Sequence, residues 1–286
     1  MAMALSRLTG MGKKYGIEWW ILVVGALIVL AIVFMALFSN AIAPFDPYNQ
    51  NTGPQLAPPG GKHLMGTDNL QRDIWSRIVH GSQTILRVAV LAAIVSSLFG
   101  IILGLLSGFS GGILDRVLSL IMDSVYSFPG LILAIAFAAM LGPGVMNITL
   151  AVAVIYIPTY FRLVRGQTLS IKEELYVEAA RAIGASGWTI LWRYIFPNVI
   201  ATTVVVFTLN VADAIMIEAA LTYLGLGLPP SIVDWGTDLS MGKRFLPAGY
   251  WWLITFPGAM ISLLALGFTM LGEGLAEILN PRLLER

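Results

Sequence analysis

Three acidic residues stand inside long apolar segments, and they are the first candidates for chemistry in this sequence. Asp123, Asp213 and Glu218 each have mainly apolar neighbours. A carboxylate in such surroundings is costly, so it commonly binds a cation, relays a proton or hydrogen-bonds to another helix. The five-residue spacing of Asp213 and Glu218 separates them by about 140° around a helix. We expect both to hydrogen-bond to a neighbouring helix or subunit, with one of them lining a pathway as the alternative.

The residue sets that enzymes use are missing from the chain. There is no cysteine, and the two histidines, His63 and His80, do not form an H-E-x-x-H motif. The Gly-Lys pairs at 12–13, 61–62 and 242–243 lack the upstream glycine and the following Ser or Thr of a phosphate-binding loop. We therefore predict a protein that is not an enzyme and binds no nucleotide itself. Each histidine is expected to hold a hydrogen bond, with substrate contact as the alternative.

The composition indicates a membrane protein. Hydrophobic residues make up 57% of the chain and charged residues 12%, with a mean hydropathy of +0.82. These values exclude an ordinary soluble domain, and a net charge of +1 argues against a nucleic-acid partner. A crossing needs roughly 20 apolar residues, and the first such run is too long for the core of a cleaved signal peptide. Six crossings are predicted, at 21–38, 88–107, 117–140, 145–163, 199–224 and 250–271.

Loop charge predicts the orientation of these six helices. An even number of crossings places both termini on the same side of the membrane. If that side is the cytoplasm, eleven of the 17 lysines and arginines fall in inner segments. The bias favours cytoplasmic termini, although Arg72, Arg77 and Arg87 oppose it.

Two outer segments have different sequence patterns. Residues 43–61 are rich in Pro, Gly and Asn, which predicts turns. Residues 68–81 place apolar side chains at spacings of three and four, which predicts an amphipathic helix on the membrane surface. That helix is expected to pack on the spans, with substrate contact as the alternative. The outer loop 225–249 is punctuated by Gly and Pro and is long enough to meet another protein.

The inner segment 165–198 holds the clearest helix signal outside the spans. Ser170 and Glu173 fit a capping box, so a helix is predicted to begin there, and Gly184 is predicted to end it. Its apolar stripe beside one glutamate suits a groove on another protein. Contact with lipid headgroups is the alternative, disfavoured because an anionic leaflet repels acidic residues. The stripe consists of Leu175, Ala179, Ala182 and Ile183.

The stretch "EAARAIGASGWTILWRYIFP" resembles the EAA loop of ATP-binding-cassette importer permeases. The residues that match are Glu178, Ala179, Ala180, Gly184 and Pro197. Further stretches between about 63 and 283 resemble the second membrane subunit of dipeptide, oligopeptide and nickel importers. Departures from that pattern occur at Gln71, where glycine is usual, and in the spacing within "GLGLPPSIVDWG".

The resemblance implies an all-α integral membrane protein with the type I importer permease fold and a cytoplasmic coupling helix. It suggests a segment 1–83, with the first span and outer segment, followed by a permease domain, 84–286. Glu178 would pair with a basic residue of an ATPase subunit, Ala179 and Ala180 would pack closely against it, and Gly184 would let the helix sit flush. The remaining expected contacts are Glu174, Arg181 and Pro197 in the coupling loop, and Gly227, Pro229 and Trp235 toward a binding protein.

The resemblance also implies partners and a cargo. The partners would be a second permease subunit, two ATPase subunits carrying ATP and Mg²⁺, an external binding protein, and lipid of the inner membrane. No cofactor is expected in this chain. Di- or oligopeptides are the first expected cargo, with nickel or oligosaccharides as alternatives. The alternative functions are a stand-alone channel, a secondary carrier and a membrane-embedded enzyme. The lack of a strong internal repeat argues against a secondary carrier.

Overall fold

The computed structural model describes residues 16–278, and this part of the chain is helical without β-strands. It also contains a π-helical turn, Leu191–Ile195, and a 3-10 turn, Lys243–Ala248. The helices are α1 (Ile17–Leu37), α2 (Ser39–Ile42), α3 (Ile74–Ser110), α4 (Gly112–Tyr126), α5 (Gly130–Leu141), α6 (Val145–Ile171), α7 (Leu175–Ala182), α8 (Gly187–Ile190), α9 (Phe196–Tyr223), α10 (Trp235–Gly242) and α11 (Trp252–Ile278).

Among residues 16–278, five stretches are long and apolar enough to cross a membrane, and a bent pair makes a sixth if it is counted as one span. The five are α1, α3, α6, α11 and the continuous Gly187–Tyr223 helix that contains α9. The bent pair is α4 with α5, whose axes differ by 92°. The predicted span at 117–140 therefore consists of two helices rather than one. Pro129 stands just before α5 rather than inside a helix, because the chain breaks at Ser127 and Phe128.

Small residues bring α3 and α6 into close contact. Gly100, Gly104 and Gly108 recur every four residues on the face of α3 that meets α6. A Cβ at Gly104 would lie 2.9 Å from the Phe161 carbonyl oxygen and 2.9 Å from the Val164 Cβ. Only glycine permits this approach, and packing of this kind drives helix association where apolar lipid gives no hydrophobic gain.

The predicted surface helix at 68–81 does not exist as a separate element. The chain turns at residues 68–72, and α3 begins at Ile74, where the Asp73 side chain accepts a hydrogen bond from the Ser76 N–H at 2.8 Å. From there one helix continues into the membrane, because its apolar pattern has no break. The expected boundary between residues 83 and 84 thus falls inside α3.

Residues 43–73 form an irregular layer held by buried polar contacts. The His63 ring nitrogen Nδ1 lies 2.8 Å from an Asp73 oxygen, which confirms a hydrogen-bonded role for this histidine. Arg72 donates to Asp68 at 2.6 Å. These contacts connect the layer to the outer end of α3.

Candidate functional site

The coupling helix α7 begins later than the capping-box pattern predicts. Ser170 belongs to the last turn of α6, and α7 starts at Leu175 with Glu174 at its N-cap. The Glu173 and Glu174 N–H groups donate to the Ser170 and Ile171 carbonyls at 3.3 and 3.1 Å, so they close α6. The predicted capping box is therefore wrong, because tertiary contacts carry α6 past that point.

Gly184 ends α7, as predicted. Its φ is +88°, in the left-handed region that favours glycine. The Gly184 N–H donates to the Arg181 carbonyl and the Ala185 N–H to the Ala180 carbonyl, both at 3.0 Å. This is the Schellman arrangement, which satisfies the last carbonyls of a helix. No other atom lies within 4 Å of a Cβ built at Gly184, so the requirement for glycine is conformational rather than steric.

One side of α7 is anchored to the rest of the protein. Val177 and Ala180, three residues apart, are both buried. Ala180 therefore packs inward, and the structure does not leave it on the open surface where the resemblance would place an ATPase contact. The cluster around Val177 joins the ends of three spans nearest to α7 and contains Leu105, Val164, Ile190, Leu191, Ile195 and Val199.

The opposite side of α7 is open, and we call it the coupling face. Its members share one side of the helix, and the two largest, Leu175 and Ile183, are 81% and 85% exposed. Exposed apolar side chains beside a single carboxylate are typical of a surface that binds another protein. Glu174 and Arg181 are also exposed and lie beside it. The coupling face consists of Leu175, Glu178, Ala179, Ala182 and Ile183.

Pro197 lies at the start of α9, just after the π-helical turn. The Phe196 N–H donates to the Leu191 carbonyl, five residues back. A proline ring collides with the carbonyl four residues before it and offers no N–H, so a widened turn here keeps the helix continuous. The rings of Trp188, Trp192 and Phe196 follow one another at 5.4 and 5.0 Å along this stretch. The sequence reasoning missed this aromatic row, although its i, i+4 spacing was visible.

Ion pairs at the inner ends of the spans were also missed. The Arg165 guanidinium donates to the Asp115 carboxylate at 2.5 and 2.8 Å, which joins α6 to α4. Arg162 donates to Asp123 at 2.7 Å across the same two helices. Asp123 is thus neutralised within the chain.

Asp213 faces a cavity between α4, α5, α6 and α9 with a volume of about 370 Å³. Its side chain is exposed to this cavity and has no hydrogen bond or ion pair among residues 16–278. The lining includes Tyr126, Phe128, Tyr156, Thr159 and Asn210.

Glu218 has the opposite environment. It is fully buried, so the alternative that it lines a pathway does not hold for the described chain. Its carboxyl lies near that of Asp234, the N-cap residue of α10, but neither Glu218 oxygen has a hydrogen-bond partner among residues 16–278. The Asp234 carboxylate accepts from the Thr237 N–H at 2.9 Å. Burial raises the pKa of the Asp234 carboxyl, and the Thr237 N–H partly offsets this. The 140° separation from Asp213 explains why one acid meets the cavity and the other meets the protein interior.

The outer loop places two of its three predicted contact residues inside the protein. Trp235 is fully buried and its Nε1 donates to the Ile78 carbonyl at 2.8 Å. Gly227 is buried at φ +112°, and its carbonyl accepts from the Gly144 N–H at 2.5 Å. The prediction of direct binding-protein contact is therefore wrong for these two. Pro229 is half-buried, and its exposed neighbour Pro230 borders the same cleft as Arg244.

Comparison with known proteins identifies the family. Residues 100–285 match the family described as binding-protein-dependent transport system inner membrane component. Residues 21–59 match the N-terminal TM domain of oligopeptide transport permease C.

Individual relatives agree with this family. The glutathione transport system permease protein GsiD of Escherichia coli O6:K15:H31 is 40% identical over 264 residues, covering 90% of this chain and 85% of that protein. A protein of Brucella suis biovar 1, provisionally named a peptide transport system permease protein, is 37% identical over 264 residues, covering 91% of this chain and 87% of its own length. The chain belongs to the binding-protein-dependent inner membrane components, the multi-pass, non-catalytic permease subunits of ATP-binding-cassette importers, which work with separate ATPase subunits and a substrate-binding protein.

Proposed function

We propose that this chain forms half of the translocation pathway of a peptide importer and transmits the motion of an ATPase through α7. The observation that carries this proposal is the coupling face, an exposed apolar surface around Glu178 on a helix that is anchored on its other side. The names of the relatives refer to peptide and glutathione transport, which favours di- or oligopeptides as cargo. Nickel and oligosaccharides remain the alternatives.

The anchoring of α7 provides a mechanical connection to the spans. Val177 belongs to one buried cluster with Val164 of α6 and Val199 of α9. A displacement of the coupling face therefore moves the inner ends of both spans. Because the Gly187–Tyr223 helix is continuous from the coupling loop to the outer side, this motion can open one end of a pathway as the other closes.

The proposed complex contains a second permease subunit, two ATPase subunits that bind ATP and Mg²⁺, and an external binding protein. Glu178 pairs with a basic residue of the ATPase, Ala179 gives close contact, and Glu174 and Arg181 lie at the edge of that contact. Both termini are cytoplasmic. The binding protein rests on the outer surface around Pro229, and lipid covers the exposed apolar side chains of α1, among them Leu27, Leu30 and Phe34.

The test is reconstitution of the complete complex with its binding protein in proteoliposomes. We expect uptake of radiolabelled tri-alanine that requires ATP on the side of the membrane where the ATPase subunits lie. This uptake should stop when vanadate inhibits the ATPase. Uptake of nickel or an oligosaccharide but no peptide would reject the cargo. Transport by this chain alone would reject the ATP-driven role and favour a channel or carrier.

A further inference from the structure

We propose that the cavity beside Asp213 binds a protonated amine, and that in a peptide cargo it receives the amino-terminal ammonium group. This inference rests on the proposed function and adds a residue that selects the substrate. The ligand class follows from one carboxylate, its depth in the membrane and the aromatic lining around it.

The first step is the position of Asp213. It lies on α9, with Phe196 at one end and Tyr223 at the other. At about 1.5 Å per residue, Asp213 is roughly 26 Å from the inner end and roughly 15 Å from the outer end. The carboxylate thus lies inside the bilayer, where an exposed position on the helix does not mean contact with bulk water.

The second step is charge. A carboxylate at this depth is stable only beside a cation or when it carries a proton. The nearby basic residue Arg162 already donates to Asp123 at 2.7 Å, and its guanidinium lies 3.9 Å above the Tyr126 ring. Asp213 is the one carboxyl in the cavity lining and has no partner within residues 16–278. A cargo that brings its own positive charge supplies the missing partner.

The third step is the shape and chemistry of the lining. The rings of Tyr126, Phe128 and Tyr156 border the cavity, and aromatic rings attract ammonium groups. Thr159 and Asn210 add oxygen atoms that can accept the remaining ammonium hydrogens. The volume of about 370 Å³ is at the small end of the range for ligand pockets, which suits the first residues of a short peptide.

The experiment compares tri-alanine with N-acetyl-tri-alanine, which lacks the ammonium group. Each peptide is bound to the binding protein before it is added to the reconstituted complex. The affinity of the binding protein for each peptide is measured separately, so that uptake rates are compared at the same fraction of peptide-bound binding protein. We expect Asp213→Asn to lower the uptake of tri-alanine by about tenfold and to leave the rate for the acetylated peptide within about twofold, since one charge-assisted hydrogen bond is lost. Asp213→Glu should restore most of the preference for the free amine.

A matched control removes a carboxylate from another span. Glu273 is exposed on α11 and does not line the cavity, so Glu273→Gln should leave the preference unchanged. The amount of assembled complex, measured by gel filtration, shows whether each variant folds. Equal loss of both peptides in Asp213→Asn, or an unchanged rate for tri-alanine, would overturn the inference. Absence of any peptide uptake by the wild-type complex would overturn the proposed function and this inference with it.

Discussion

The indole Nε1 of Trp235 donates a hydrogen bond to the Ile78 carbonyl at 2.8 Å, and so joins residues 157 positions apart. The same α10 carries Asp238, whose carboxylate accepts from the Arg77 Nε at 3.0 Å. Both contacts attach the outer loop to the first turns of α3. The outer surface of the protein is therefore a fixed platform rather than a loose loop.

Trp235→Ala should destabilise this platform. Removal of a buried tryptophan costs about 3–5 kcal/mol because a cavity remains. We expect a lower thermal unfolding temperature for the purified complex, measured by intrinsic fluorescence. Trp251 is 49% exposed, so Trp251→Ala is the matched control and should shift the temperature far less. Equal shifts for the two variants would show that the loop is not anchored by Trp235.

Gly104→Ala should weaken the contact between α3 and α6. The added methyl group would lie 2.9 Å from backbone and side-chain atoms of α6, and overpacking of this kind costs about 1–3 kcal/mol. Gly166→Ala is the control, since no atom lies within 4 Å of a Cβ built there. The measurement is the yield of assembled complex after detergent extraction. A normal yield for Gly104→Ala would contradict the close approach of the two helices.

Glu178→Lys should leave membrane insertion intact and abolish the stimulation of ATP hydrolysis by loaded binding protein. The change reverses the only charge on the coupling face. Glu173 is exposed but lies before α7, so Glu173→Lys should retain stimulation. Normal stimulation in reconstituted Glu178→Lys would reject the proposed ATPase contact.

Gly184→Val should uncouple hydrolysis from transport, because a β-branched residue is strained at φ +88° and the helix end would open. Gly184→Asn should be milder, since asparagine adopts left-handed backbone more readily. The two variants are compared by the number of ATP molecules hydrolysed per peptide transported. Equal effects would indicate that side-chain size, rather than backbone conformation, matters at this position.

Asp234→Asn should change how stability depends on pH. Burial raises the pKa of the Asp234 carboxyl in the folded protein above its pKa in the unfolded chain. The contribution of this carboxyl to stability is therefore fully present below the pKa of the unfolded chain, and it is lost as the pH rises through the pKa of the folded protein. Asparagine can still cap α10 but does not titrate. We expect the unfolding temperature of wild type, relative to the variant, to be higher at about pH 5 than at about pH 8. A constant difference would contradict this assignment.

Much of the architecture was predictable because it depends on local pattern. Apolar runs of bilayer length located the crossings, although α3 begins 14 residues before the predicted span at 88–107, and Gly184 identified the end of α7. Where tertiary packing overrode a local signal, the prediction failed. Ser170 and Glu173 fit a capping box, but the packing of Val164 and Thr168 against α3 extends α6 through that segment. Pro129 is compatible with a bend in this span, but the angle of 92° between α4 and α5 does not follow from the sequence.

The sequence by itself determined that this protein spans a membrane, that it has no nucleotide-binding loop of its own, and that a short helix with one central glutamate lies between two spans. Only the tertiary structure decided which polar side chains are exposed and which are buried. Asp213 and Glu218 have similar apolar neighbours along the chain, yet one faces a cavity and the other is buried against Asp234. Trp235 looked like a surface contact and is fully buried. The physical reason is that hydrophobic pattern reports the average environment of a helix, whereas the exposure of one side chain depends on which other helix packs against it.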